Sequence, residues 1–148
     1  MQKTQTKDQQ QFKIAKQFNK QLKELFKLFS KESKFKSKAH LKYLENSMNT
    51  TIKTNPLYAI AMLGSYIWNC SEDIFNENSE VFLNRQYSRE VKKLSMKHRF
   101  NYQDALKSIE HIKNTYALTM NSEDRQKVHN ITREMALLNI DYIKLVGS

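Results

Sequence analysis

Hydrophobic residues recur along this chain at helical spacing, with polar residues between them. The first run extends from about Asp8 to Ser30, and its apolar positions follow alternating steps of three and four at Ala15, Phe18, Leu22, Leu25 and Phe29. Such steps keep side chains on one face of an α-helix. We therefore expect a first amphipathic helix, whose remaining surface is largely taken by lysines.

Two further helices are expected after this one. Residues 30–40 form a Ser/Lys-rich linker without periodicity, and a second helix follows over about 38–54. Asn55 and Pro56 then end that helix and begin a third over about 56–70, because Asn is a favoured N-cap and Pro is tolerated at the first helical position.

The third helix is apolar on nearly every side, which is typical of a central, buried helix. Gly64 lies inside it, at a cost of roughly 1 kcal/mol relative to Ala, and therefore predicts a close helix crossing. Ser71 resembles the N-cap of a short segment around Ile74 and Phe75.

Three more helices complete the pattern. Residues 80–98 predict one continuous helix, Asn101 is the expected cap of a helix that begins at Tyr102, and Ser122 is the expected cap of the last helix. The last helix carries a regular apolar seam at Val128, Ile131, Met135, Leu138, Tyr142 and Leu145. This seam can either pack within the molecule or bind a partner.

The chain has two glycines and one proline in 148 residues. A sheet protein needs turn residues at intervals of roughly 8–12 positions, so the fold class is all-α: a compact bundle of five or six helices with a basic N-terminal helix. We divide it into residues 1–37, a Lys-rich helix and linker, and residues 38–148, a helical domain.

Charge is unevenly distributed over a chain whose formal net charge is +10. Residues 1–55 carry thirteen lysines and four acids, residues 56–84 carry four acids and no base, and residues 85–113 carry eight bases and three acids. An excess of cations favours polyanionic partners, either nucleic acid or an acidic protein surface.

One cysteine, Cys70, excludes an internal disulfide and fits a reducing compartment. The N-terminal residues lack the apolar run of a secretory signal, and no apolar run is long enough for a transmembrane helix. We expect an intracellular protein, nuclear or cytoplasmic, that does not associate with membranes.

Recognisable catalytic motifs are absent from the sequence. Two glycines cannot build a P-loop or a dinucleotide-binding turn. The histidines do not pair at zinc-site intervals and are expected at the surface or in caps: His40, His98, His111 and His129. Cys70 is expected to be buried and structural, since a reactive thiol needs a cationic setting. We predict no enzymatic activity, no cofactor and no metal.

The candidate binding residues lie in the 80–98 helix and just after it. We expect a nucleic-acid-binding set at Asn84, Arg85, Arg89, Lys92, Lys93, Lys97 and Arg99, in which 85, 89, 92 and 93 share one helical face. A secondary basic patch is expected on the first helix at Lys16, Lys20, Lys23 and Lys27. The alternative is a solvated surface helix.

Two resemblances concern this region. Residues 81–85, with the sequence VFLNR, resemble the W-F-x-N-R core of a homeodomain recognition helix. The resemblance implies that Asn84 reads adenine and that Arg85 and Arg89 hold phosphate. Residues 91–112 resemble the helix-loop-helix of UBA-like and HTH-like modules, with a core at Leu94, Phe100, Ala105, Leu106 and Ile109.

By analogy, a small, basic, homeobox-like protein without catalytic motifs is similar to the accessory subunits of DNA adenine methyltransferase assemblies. We therefore predict a non-catalytic nucleic-acid-binding accessory subunit of a larger complex, with DNA favoured over RNA and with further protein partners. The alternative function is a helical protein–protein adapter that does not contact nucleic acid.

Overall fold

The computed structural model describes residues 6–30, 38–98 and 101–147, and every regular element in these ranges is an α-helix. In chain order they are α1 (Lys7–Ser30), α2 (Lys38–Thr54), α3 (Tyr58–Phe75), α4 (Ser79–Asn84), α5 (Ser88–His98), α6 (Tyr102–Leu118) and α7 (Ser122–Val146). The all-α prediction is confirmed, with seven helices in these ranges against the five or six expected. None of the seven is long and apolar enough to cross a membrane.

The additional helix arises from a break in the segment predicted as one helix over 80–98. α4 ends at Asn84, the backbone of Arg85 is extended (φ −79°, ψ 141°), and α5 begins at Ser88. The ammonium group of Lys113 on α6 donates to the carbonyl oxygen of Arg85, which a continuous helix would give to its own amide four residues later. The prediction of one continuous helix is therefore wrong. The spacing of apolar residues carries no information about a hydrogen bond to a residue 28 positions away.

α1 supplies one wall of the hydrophobic core. Its inward face is at most 9% exposed at each of its five main positions, Ala15, Phe18, Leu22, Phe26 and Phe29, and it packs against α7, α2, α3 and α6. α1 thus belongs to the same hydrophobic cluster as α2, α3, α6 and α7. The domain boundary predicted at 37/38 adjoins residues 31–37, which lie outside the described residues, and it stays a prediction.

The apolar seam of α7 packs within the molecule. Met135 and Leu138 are buried, and Val128, Ile131 and Tyr142 pack against the core. The main packing partners of this helix are α1 and α3. Of the two interpretations of the seam, the intramolecular one is confirmed.

Side-chain caps begin two of the later helices. The Asn101 side chain accepts from the amide three residues on, at 3.0 Å, as predicted. Asn121 does the same for α7 at 2.8 Å, so the cap expected at Ser122 lies one residue earlier. α3 has Leu57 at its N-cap position without a side-chain cap bond, so the prediction that Asn55 caps it is wrong.

Gly64 lies at a close crossing of α3 and α7, as its place inside a helix predicted. Asn139, fully buried on α7, donates from Nδ2 to the Gly64 carbonyl oxygen at 2.9 Å. A Cβ atom at Gly64 would stand 2.7 Å from Asn139 Oδ1. The absence of a side chain at residue 64 is what allows the two helices to be joined by this bond.

α3 differs from prediction in length and in burial. It runs on to Phe75, and the Ser71 hydroxyl donates to the Ile67 carbonyl oxygen inside the helix instead of capping a new segment. One side of α3 faces solvent, with the Trp68 side chain 53% exposed. The prediction that α3 is buried on nearly every side is therefore wrong.

The position of one histidine, His111, differs from the prediction. His111 is fully buried, and its Nε2 lies 3.0 Å from the carbonyl oxygen of Phe29 at the end of α1. This hydrogen bond joins α6 to α1, so the expectation of a surface or cap role is wrong for His111.

Candidate nucleic-acid interface

The exposed face of α5 is cationic. Val91, buried at 5% exposure, anchors the opposite face, and α5 packs against α6. At 3.6 residues per turn the four exposed cations fall within about 140° of the helix surface and span about 12 Å: Arg89, Lys92, Lys93 and Lys97. None of them forms an ion pair with a carboxylate in the described residues.

Met96 lies in the middle of this basic face and is 76% exposed. Its spacing of four and three residues from Lys92 and Lys93 places it beside them. Sequence reasoning did not single out Met96, although the same helical spacing was there to indicate it.

Arg85 does not belong to this row. Because the helix is broken, its guanidinium turns to other partners: Nη2 lies 3.2 Å from Glu90 Oε1, Nη1 donates to Cys70 Sγ at 3.8 Å, and the group lies 5.7 Å from the Tyr87 ring centroid. The prediction that 85, 89, 92 and 93 share one helical face is therefore wrong for Arg85.

Two other predicted site residues lie apart from the α5 face. Asn84 is exposed and is the last residue of α4, so its role as a base reader stays a prediction. Arg99 lies outside the described residues.

The secondary basic patch forms a straight row on α1. Lys16, Lys20, Lys23 and Lys27 are all exposed, and steps of four, three and four hold them within about 60° of the helix surface over about 16 Å. Lys27 makes a loose pair with Glu24 at 3.8 Å, and the Lys16 ammonium lies 4.6 Å from the centre of the Phe12 ring. This row lies opposite the buried face of α1.

A cluster around Cys70 was missed by the sequence reasoning. Cys70 was expected to be buried, but it is only half-buried. Its sulfur accepts a hydrogen bond from the Arg85 guanidinium. Burial, and next the Coulombic effect of Cys70, raise the pKa of the Tyr87 hydroxyl to about 12, although Arg85 acts in the opposite direction. These three residues come together where the chain turns after α4. The spacing of hydrophobic residues in the sequence does not predict that turn.

No family model matches the chain, and neither a curated protein nor a solved structure shows significant similarity to it.

Proposed function

We propose that this protein is a non-catalytic nucleic-acid-binding subunit of a larger complex, and that the cations of α5 and α1 bind phosphates. The observation that carries the proposal is the pair of exposed rows, Arg89, Lys92, Lys93 and Lys97 on α5 and Lys16, Lys20, Lys23 and Lys27 on α1. Exposed cations can displace the counterions that condense on a phosphate backbone, which is the main source of affinity in non-specific binding.

The two rows carry the affinity in this proposal, and Asn84 carries any base contact. Arg85 stabilises the link between α4 and α5 through Glu90 and contributes to phosphate binding only indirectly. The resemblance of residues 81–85 to a homeodomain core is the reason for favouring DNA over RNA and the nucleus over the cytoplasm.

The test is a salt titration of binding to a labelled random-sequence DNA duplex, followed by fluorescence anisotropy. For each phosphate neutralised, the logarithm of affinity falls with the logarithm of salt concentration by a slope of about 0.9. Replacing Arg89, Lys92, Lys93 and Lys97 together by Gln should reduce that slope by about 3.6, with a matching loss of affinity in low salt.

A matched control keeps the net charge of this variant while sparing both rows. Lys42, Lys53, Lys127 and Lys144 are exposed on α2 and α7, and their replacement by Gln removes the same four charges. If the control variant loses as much affinity as the α5 variant, the binding is a property of net charge and the α5 site is disproved. The same comparison applies to the α1 row.

DNA and RNA are distinguished by repeating the titration with an RNA duplex and with single strands. Asn84→Ala should change the preference between DNA sequences and leave the salt slope as it is, because a base contact releases no counterion. An altered slope without altered preference would contradict the base-reading role.

The second candidate function is a helical protein–protein adapter. It is supported by large apolar side chains that face solvent, among them Trp68 at 53% and Leu118 at 71% exposure. Aromatic residues are enriched at protein interfaces. An adapter should show negligible DNA binding even in low salt, so the titration separates the two functions.

A further inference from the structure

A cavity of about 340 Å³ lies between five helices, away from the basic faces of α1 and α5. Its walls are mainly aliphatic and aromatic, with contributions from Leu25, Phe29, Ile67, Phe82, Ile112 and Val128. Val81 and Arg85, at the edge formed by α4, line it and are exposed to solvent, so the cavity reaches the protein surface. Its size falls within the roughly 300–1,000 Å³ usual for small-molecule sites.

The cavity exists because α4 covers this part of the core only lightly. α4 has six residues and none of them is buried, yet it spans the opening left by α3, α6 and α7. A longer helix with an inward apolar face would fill the space with its own side chains.

Few polar atoms face the cavity, and some of them bond one another. The Tyr116 hydroxyl and His129 Nε2 lie 2.8 Å apart. Arg85 Nη1 is different, since its acceptor is the Cys70 sulfur at 3.8 Å, and a thiol is a weak acceptor. Asp73 also lines the cavity, and Glu90 holds the other end of the guanidinium.

We propose that this cavity binds a small apolar molecule, an acyl chain or a comparable hydrocarbon body, that presents one oxygen acceptor to Arg85. The apolar part would be removed from water against the aliphatic and aromatic walls and would gain dispersion contacts with them. The oxygen would replace sulfur as the partner of Nη1, forming a charge-assisted hydrogen bond. This site is independent of the proposed nucleic-acid binding.

The probes are decanoate and decanol, which share a chain and differ in the acceptor. Cys70 is the one cysteine of the chain, so its alkylation by N-ethylmaleimide, followed by mass spectrometry, reports on the cavity wall. Saturable slowing of this reaction by either probe, with one molecule bound in isothermal titration calorimetry, is the expected result. Failure of both probes to protect Cys70 or to bind would overturn the proposal.

Two variants place a larger side chain in the cavity from different walls, Ile74→Phe on α3 and Thr132→Phe on α7. Each should weaken binding at least tenfold, whereas Leu118→Phe, at an exposed position away from the cavity, should bind as the unaltered protein does. Circular dichroism establishes that each variant is folded, and two filling variants keep the test decisive if one is not. Unchanged affinity in a folded filling variant would overturn the site.

The acceptor assignment has its own pair of variants. Arg85→Met keeps the apolar stem and should weaken decanoate about tenfold, the loss expected for one hydrogen bond to a charged group. Glu90→Gln frees the guanidinium and should strengthen decanoate relative to decanol. Decanoate binding that is insensitive to both changes would disprove Arg85 as the partner, whatever the result of the DNA titration.

Discussion

Residue 64 has no room for a side chain, because Asn139 occupies the space where one would lie. Gly64→Ala would gain roughly 1 kcal/mol in helix propensity but would force a contact of 2.7 Å with Asn139 Oδ1. Overpacking of this kind costs about 1–3 kcal/mol, and a shift of the Asn139 side chain would strain its bond to the Gly64 carbonyl oxygen. We expect a lower free energy of unfolding in urea denaturation.

Ser65→Ala is the matched comparison, since Ser65 is exposed on the same helix and should change stability by only a few tenths of a kcal/mol. The double variant Gly64→Ala with Asn139→Ala should be less unstable than the sum of its parts, because the contact is relieved. Strict additivity would show that the two side-chain positions do not interact.

Tyr87 makes stability depend on alkaline pH. Its pKa of about 12 lies above the ordinary value of 10.0, chiefly because the half-buried hydroxyl is partly desolvated. A phenol with a raised native pKa holds its proton in the folded protein and releases it in the unfolded chain. The contribution to stability is therefore complete below pH 10 and is lost as the pH rises towards 12.

Ultraviolet titration of tyrosinate in the folded protein should show a group that ionises near pH 12, and Tyr87→Phe should remove it. Burial also raises the pKa of Tyr58, so a second tyrosine should titrate above its ordinary value in both proteins. The same substitution should flatten the decline of the unfolding free energy between pH 10 and 12. A step near pH 12 that persists in Tyr87→Phe would assign the late titration to another tyrosine.

At the scale of the element, the link between α4 and α5 gives the most direct test of the fold. Gln86 is exposed, and its backbone N–H donates no hydrogen bond within the described ranges. The extended backbone of Arg85 is the conformation favoured for a residue that precedes proline. Gln86→Pro should therefore cost well under 3 kcal/mol in urea denaturation. Lys93→Pro, inside α5, should cost about 3 kcal/mol or more. Equal losses of unfolding free energy in the two variants would instead support one continuous helix over 80–98.

The limits of the sequence prediction are visible in the same helices. The bounds of α2 and the cap of α6 could be predicted because they depend on residues within four positions of one another. The end of α4 could not, because the carbonyl oxygen of Arg85 is bound there by Lys113 of α6, 28 residues away. Likewise the α1 row follows from spacing, whereas the cavity and the Arg85–Cys70 contact require knowledge of which helices meet.

For the whole molecule, the net charge of +10 has a cost that can be measured. Lys13, Lys16, Lys20, Lys23 and Lys27 form four successive pairs on α1 at helical-neighbour spacing, and each like-charged pair destabilises by about 0.2–0.5 kcal/mol. Replacing the last four by Gln should stabilise the protein by about 1–2 kcal/mol in low salt. The gain should shrink as salt screens the repulsion.

Urea denaturation of this α1 variant at low and high sodium chloride concentration checks the expectation. The Lys42, Lys53, Lys127 and Lys144 variant should gain less, since no two of these lysines lie three or four residues apart. A gain that is equal in the two variants would mean that overall charge, and not the α1 row, sets the effect.

The 24 residues of α1 have one side in the protein interior and the other in solvent. A polyanion bound to the outer side would stabilise the packing of the inner side, and its dissociation would remove that stabilisation. Saturating DNA should therefore raise the melting temperature. A chain that starts at residue 38 would keep the cations of α5 but lose the phenylalanines of α1 that pack in the core. Such a truncated protein should therefore fail to fold and should not bind DNA as the full chain does.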